Sequence, residues 1–550
     1  MSAPAVADSG GIGRASMLLA SGTIVSRLLG FVSAVVLAQT IGTVGAGADA
    51  FALANQLPNN IYAIVAGGVL SAVLVPQIVK AGLNDDGGAR FVNKLVTLGI
   101  VIFLAAAVIA TLAAPLLVAL YAQQAGDSGR GFTDSELALA VAFAYWCLPQ
   151  VLFYALYALL GEVLNARKVF GPFTWAPALN NVVTIAGLVA FTLLFSADVT
   201  DATAWTPAMI SVLAGSATLG IAAQALVLTF FWRRAGLRYR LDFRWRGVGL
   251  RDTGRAAGWV FGMVIVTQLA GIVQANVASL AAAGDDPSLA VLRFSWLIFM
   301  LPHSVVTVSL ATAYFTRMSA HARDGDRVAV RADVSESLRR ILMIMVLAAA
   351  GLLVVAAPFA RLFGSNQAVV DAMALVISAY VVGLIPFTVL FVVQRVFYAL
   401  NDTRTPFAIQ VVQALVFVGG ALLVSMAPTS LIAIGLALVT SFAGTAQCLL
   451  GVALLRRRLQ GIGGRAILQR LGQYALASIP AALVGVLLGW VLGAYDPAGT
   501  ARASELAAGG TMVLIAIAMT LVYAAVLRAM RIPEFSAITD PVTRRLRRAR

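Results

Sequence analysis

Arg27, Arg293 and Arg395 each interrupt a stretch that is otherwise apolar enough to cross a membrane. A charge at bilayer depth costs about 2.5–3.5 kcal/mol even on lenient insertion scales, so it normally faces a bundle interior or a wet cavity. A guanidinium also presents a planar fork that makes two parallel charge-assisted bonds to a phosphate. The chemistry these three side chains suggest is capture of an anion. For each a plainer reading stands beside it: Arg27 snorkelling to an interface, Arg293 pairing with nearby Asp285 and Asp286, and Arg395 reaching the headgroups beside Asp402 and Arg404.

Other polar groups share these apolar runs. Asp49 opens one, where a carboxylate also favours a helix N-terminus. Gln268, Gln274 and Asn276 fall in a single run and either bind helices together or line a hydrophilic lumen. Glu162 stands near the basic pair Arg167 and Lys168. Pro58, Pro149, Pro302, Pro386 and Pro480 lie within apolar runs, where each removes a helix hydrogen bond and permits a kink. Gly30, one turn after Arg27, is expected to let another backbone approach closely.

Nothing in the chain resembles a catalytic constellation. The two histidines, His303 and His321, are too scattered for a metal site, and there is no carboxylate dyad or phosphate-cradling glycine loop. No enzyme activity, metal or cofactor is therefore expected. Cys147 and Cys448 both fall in apolar runs, so no disulfide framework exists.

The elements that must position these residues are long helices. Of 550 residues, 60% are hydrophobic and 11% charged, with mean hydropathy +0.91. A soluble domain carries about 25% charge. The apolar residues come in continuous runs without the alternation of barrel strands. Stretches near 16–41, 51–79, 95–122, 137–164, 174–197, 207–232, 256–283, 288–316, 341–360, 368–400, 407–427, 430–455, 473–495 and 507–530 are each long enough to span a bilayer. The fold class is an all-α polytopic membrane protein with about 14 transmembrane helices. The net charge of +15 reflects basic loops after even-numbered spans, chiefly 233–255, 456–470 and the tail ending in Arg550. Loops after odd-numbered spans hold Asp127, Asp134, Asp198, Asp201, Asp285, Asp286 and Asp496, opposed only by Arg130, Arg361 and Arg502. The positive-inside rule then puts both termini in the cytoplasm of a plasma-membrane protein, and lipid headgroups explain the basic charge better than nucleic acid.

The chain also repeats itself. Leu57-Pro58 answers Leu301-Pro302, Pro149 answers Pro386, Leu164-Asn165 answers Leu400-Asn401, and Pro172-Phe173 answers Pro406-Phe407, at nearly constant separation. Six spans per copy means both insert in the same orientation, with a binding site expected between the halves. The expected domains are a tail (1–15), an N-lobe (16–232), a basic linker (233–255), a C-lobe (256–455), a final helix pair (456–530) and a basic tail (531–550).

Ser26-Arg27-Leu28-Leu29-Gly30-Phe31, Ala48-Asp49-Ala50-Phe51 and Leu57-Pro58-Asn59 resemble the opening of the lipid II flippase family (MurJ, formerly MviN) of the MOP exporter superfamily. The likeness continues through Leu164-Asn165, Pro172, Ala176-Pro177, Leu179-Asn180, Gln268 to Asn276, and Phe397-Tyr398-Ala399 with Asp402-Thr403-Arg404-Thr405-Pro406, covering roughly 15–530. The resemblance implies two pseudo-symmetric six-helix lobes around a central cavity, alternating inward and outward openings, and a C-terminal helix pair forming a groove for a polyprenyl tail. It implies undecaprenyl-pyrophosphate-linked muropeptide (lipid II) as cargo, moved from the inner to the outer leaflet. Arg27, Arg293, Asp49, Asn59, Gln268, Asn276 and Arg395 are the expected substrate-binding residues. Gly30, Pro58, Pro302, Asn165, Pro172 and Pro406 are the expected structural or hinge positions.

The chain departs from that pattern at charged positions. Ser33 stands where the family often has a second arginine, Tyr62 where it has a basic residue, Gly67 where it has an acid, and Leu297 where an arginine is usual, with Arg293 one turn back. Three other readings stay open: an exporter of another polyprenyl-linked glycan, a drug/cation antiporter of the same superfamily, and a scaffold that recruits cell-wall synthesis proteins. A coupling ion or the membrane potential as the driving force is not legible in these residues.

Overall fold

The apolar runs carry their own start signals, and the helices begin where those signals fall. The computed structural model describes residues 9–66, 88–126, 129–167, 169, 171–195, 199–244, 254–282 and 286–537, and the side chains within them outside 9–20, 66, 235 and 254–257. Gly67, Lys80, Lys168, the middle of the 233–255 linker and the terminal arginine cluster lie outside the described residues.

The helices of the first half are α1 (Ser9–Ile41), α2 (Ala46–Ala66), α3 (Ala89–Leu112), α4 (Ala114–Tyr121), α5 (Asp134–Cys147), α6 (Gln150–Ala166), α7 (Gly171–Leu194), α8 (Pro207–Leu226) and α9 (Gly254–Ser279). Those of the second are α10 (Leu289–Pro302), α11 (Val308–Arg323), α12 (Arg327–Val354), α13 (Ala356–Arg361), α14 (Gln367–Val382), α15 (Leu384–Ala399), α16 (Arg404–Val424), α17 (Thr429–Leu459), α18 (Gly464–Val491) and α19 (Glu505–Ala529). Thr133 and Glu136 make a reciprocal capping box at α5, and Asn366 caps α14 through the Ala368 N–H. Ser504 does the same for α19 through Ala507. Each such cap satisfies an orphan backbone donor, worth about 1 kcal/mol.

Among the described residues twelve helices are long and apolar enough to cross a membrane, thirteen if α14 and α15 count as one bent span. The all-helical polytopic class expected from the sequence is what forms. The remaining expected stretch, 51–79, is described only as far as Ala66. Outward residues such as Leu193 (81% exposed) and Leu423 (72% exposed) make the lateral surface apolar, as acyl chains require.

The chain divides into two compact units, Met1–Asp285 and Asp286–Arg550. In the first, α1 packs on α7, α7 on α8, α2 on α5 and α6, and α3 on α6. Helix α9 packs on α2 and α4, which places it in this unit although the sequence division grouped it with the later spans. In the second, α12 packs on α11, α15 and α18, α17 on α14, α15 and α16, and α19 on α18 and α13. The last two helices are fastened as well as packed. The Tyr523 hydroxyl donates to Met343 O at 2.8 Å, and Tyr495 to Val354 O at 3.0 Å.

Prolines mark the breaks. Pro302 ends α10 and leads into a π-helical turn, His303–Thr307. Pro386 lies in the first turn of α15, after a 41° bend at Gly383. The Ser441 hydroxyl of α17 donates to Ala379 O (2.7 Å) and Tyr380 O (3.2 Å) at that bend. A methyl on Gly383 would sit 2.9 Å from the Ser441 Cα, so only glycine allows this approach.

Candidate substrate site

Arg27 sits on α1, half-buried, and the α1–α7 joint positions it. The Asn181 side chain of α7 donates to Ser26 O at 3.0 Å, clamping the backbone beside Arg27. The close approach between these helices is at Gly22, where an added Cβ would lie 2.8 Å from Thr174 Cγ2 and 2.9 Å from Trp175 Nε1. At Gly30, where the sequence placed it, a Cβ would meet Asn181 at an ordinary 3.5 Å. That expectation is corrected: Gly30 is not sterically required. The Arg27 Nε is buried without a hydrogen-bond partner. Among the described residues no acid lies within ion-pair distance of its guanidinium. An arginine in an apolar helix with no counter-charge is a ready anion receptor.

The other expected residues of this unit are placed differently. Asp49 is fully enclosed in the first turn of α2, where the helix N-terminus favours its charge. Asn59 is exposed and its neighbour Asn60 is buried. Gln268 donates to Asn60 O at 2.7 Å, and Asn276 donates to Leu120 O at 2.7 Å and Ile272 O at 3.0 Å. Of the two roles left open for these amides, binding α9 to α2 and α4 is the one the hydrogen bonds make. The sequence reading missed Gln150, whose amide donates to Thr218 Oγ1 (2.9 Å) and Asn55 Oδ1 (3.3 Å) across α6, α8 and α2. A glutamine beside the kink-forming Pro149 was the available signal.

The departures from the family pattern have physical occupants. Ser33 is buried. Tyr62 packs against Phe103 and Tyr154, with ring centroids 6.4 and 6.0 Å away, so aromatic contact fills a position where a cation was expected.

In the second unit Arg293 is half-buried in the second turn of α10. Further along the chain α10 and α15 share an aromatic cluster. Phe387 meets Phe299 (5.5 Å) and His303 (4.6 Å), and Phe391 meets His303 at 5.1 Å. Arg395 lies over Phe391 (4.9 Å) and Phe315 (5.6 Å), a cation–π arrangement worth about 0.5–2 kcal/mol. Among the described residues its charge is met by ring faces rather than by an acid. Pro172 falls in the first turn of α7 and Pro406 in the first turn of α16, where a missing N–H costs nothing. Asn165 closes the last turn of α6. Among the described residues no group of three metal-ligating side chains occurs, and both cysteines are buried and outside any disulfide.

A family model described as Lipid II flippase MurJ matches residues 37–502. The chain belongs to the MurJ lipid II flippase family. It is 27% identical over 421 residues to a protein of Haemophilus influenzae named "Probable lipid II flippase MurJ", covering 73% of this chain and 78% of that one. A Rhizobium meliloti protein of the same name is 28% identical over 420 residues, covering 74% and 72%. A solved structure described as lipid II flippase MurJ in an inward closed conformation superposes with a TM-score of 0.68 at 18% identity, covering 94% of this chain and 99% of that one. An inward-facing MATE-family multidrug transporter of the MOP superfamily gives 0.55 at 16% identity, covering 81% and 94%. These likenesses establish a MurJ/MATE fold, a membrane transporter family and not an enzyme. The matched segment begins ten residues after Arg27, so the arginine's role rests on its own surroundings.

Proposed function

We propose that this chain translocates an undecaprenyl-pyrophosphate-linked peptidoglycan precursor from the inner to the outer leaflet by alternating access, with both termini cytoplasmic. Family membership supports the substrate class, and the charge asymmetry of the loops supports the orientation. The observation that carries the mechanism is Arg27, a half-buried guanidinium in an apolar span with no acid beside it. A pyrophosphate supplies the counter-charge the protein withholds. Arg293 is proposed as a further cation for the same class of group. The enclosed Asp49 and the engaged amides Gln268 and Asn276 are proposed to hold the helices that present the receptor.

The test is complementation in a strain that depends on this protein, scored by growth and by the leaflet in which lipid II accumulates. Arg27→Ala should abolish growth and leave lipid II in the inner leaflet, with protein level and thermal stability unchanged, and Arg27→Lys should restore part of the activity. Wild-type growth of Arg27→Ala would remove the anchor and with it this mechanism. Accumulation of a different polyprenyl-linked glycan on depletion would move the cargo to that class.

A further inference from the structure

A cavity of about 940 Å³ opens in the first unit where α3, α6 and the segment after α8 meet. Its inner wall is apolar, formed by Ile100 of α3, Leu156 and Leu160 of α6, and Trp232. Its rim carries Arg233, Arg238 and Arg240. All three arginines are exposed, and among the described residues none has an acidic partner.

The rim is a built strap. Asn93 of α3 accepts from the Arg240 N–H at 3.3 Å and donates to Arg238 O at 3.4 Å, so one amide grips two links of the segment. One turn on, Thr97 Oγ1 accepts from the Asp242 N–H at 3.1 Å and lies 3.1 Å from the Tyr239 hydroxyl. Asp242 in turn pairs with Arg244 at 3.2 Å. Arg244 is therefore spent on the strap itself, while Arg238 and Arg240 are held over the opening.

We propose that this cavity is a binding site for an anionic phospholipid of the adjacent leaflet. Its phosphate is held by Arg233, Arg238 and Arg240, and one acyl chain lies along Ile100, Leu156 and Leu160. Charge complementarity selects the head, because three uncompensated guanidiniums surround the mouth. The apolar wall selects an amphiphile over a soluble anion, which has no use for it. An acyl chain leaving the bilayer for this wall gains little hydrophobic energy, since lipid tails are as apolar as leucine. Discrimination between lipids must then come from the arginines, at about 1 kcal/mol each near a membrane surface, or about a hundredfold for three.

The test is native mass spectrometry of the full-length protein in mixed micelles, titrated separately with phosphatidylglycerol, phosphatidylcholine, inorganic phosphate and a polyprenyl phosphate. Wild type should retain one phosphatidylglycerol with saturable affinity, about a hundredfold tighter than phosphatidylcholine. The triple variant Arg233→Gln, Arg238→Gln, Arg240→Gln should lose that preference. Leu160→Trp, which fills the well and leaves every charge in place, should retain less of either lipid than wild type, with folding of both variants checked by thermal unfolding. Equal retention by either folded variant, or equal retention of phosphatidylcholine, would overturn the proposal. Displacement by millimolar inorganic phosphate would make this a soluble-anion site. Displacement by polyprenyl phosphate at equal concentration would assign it to the transported class. Either result also overturns the phospholipid reading.

Discussion

The two units treat their arginines in opposite ways. In the first Arg244 pairs with Asp242 on the surface, while in the second Arg317, Arg339, Arg340, Arg361, Arg470 and Arg502 are each set against a carboxylate. In the second unit Arg361 is buried and bonds Glu505 (2.7 Å), Arg502 O (2.8 Å) and Gly364 O (3.1 Å). Arg502, also buried, pairs with Asp371 at 2.7 Å. Glu534 receives both Arg339 (2.7 Å) and Arg470 (3.4 Å). These cations tie α13, α14, α18 and α19 together. The first unit is joined instead by neutral amides, Gln150, Asn181, Gln268 and Asn276, and leaves Arg27, Arg233, Arg238 and Arg240 without acids. Neutral glue keeps cations available for ligands, and ion-paired glue consumes them.

Five measurements would break or sharpen that contrast. The largest effect belongs to Arg361→Ala, which strands a carboxylate and two carbonyls. Because Glu505 is half exposed, the loss should be about 2–3 kcal/mol, below that of a fully buried pair, read as a lower unfolding temperature in detergent. Arg27→Met is the opposite case, because removing a charge with no partner should leave that temperature unchanged or higher. If the two variants destabilised equally, the division of labour would be wrong. Gly22→Ala should cost about 1–3 kcal/mol by overpacking α1 against α7, with Gly30→Ala neutral or slightly stabilising. Gln268→Leu should cost about 0.6–1 kcal/mol, the worth of one interhelical hydrogen bond in a membrane protein.

The smallest effect concerns acid. Asp242 is held below the usual carboxylate range, first by the Arg244 N–H it accepts and then by the Arg244 side chain. Its contribution is therefore fully present at neutral pH and lost as pH falls through its lowered folded-state value, beneath the ordinary aspartate range. Amide protection in 238–244, corrected for the intrinsic rate at each pH, should fall there and not in α3, and Asp242→Asn should remove that pH dependence.

Much of the architecture could be read from residue order, because a continuous apolar run permits little besides a helix. The family could be read from spaced motifs such as Pro58-Asn59 and Asp402 to Pro406. The sites were less legible, for identifiable reasons. Arg361 and Arg502 looked like stray loop cations, since their partners Glu505 and Asp371 lie over 100 residues away in sequence. Gln268 and Asn276 fit a lumen as well as a helix contact until Asn60 O and Leu120 O were seen to receive them. Which glycine of α1 meets α7 is decided by that neighbour's Thr174 and Trp175. The strap over the basic cavity depends on Asn93 and Thr97, one turn apart, and nothing local distinguishes them from ordinary polar residues at a helix end.

The Gly383 bend has a mechanical corollary. The Ala379 and Tyr380 carbonyls at the bend are met by the Ser441 hydroxyl of α17, Tyr380 O also taking the Gly383 N–H, and the missing side chain leaves that helix no slack. Straightening the elbow would have to release the Ser441 hydroxyl from those carbonyls, so a change of angle between α14 and α15 is coupled to a shift of α17.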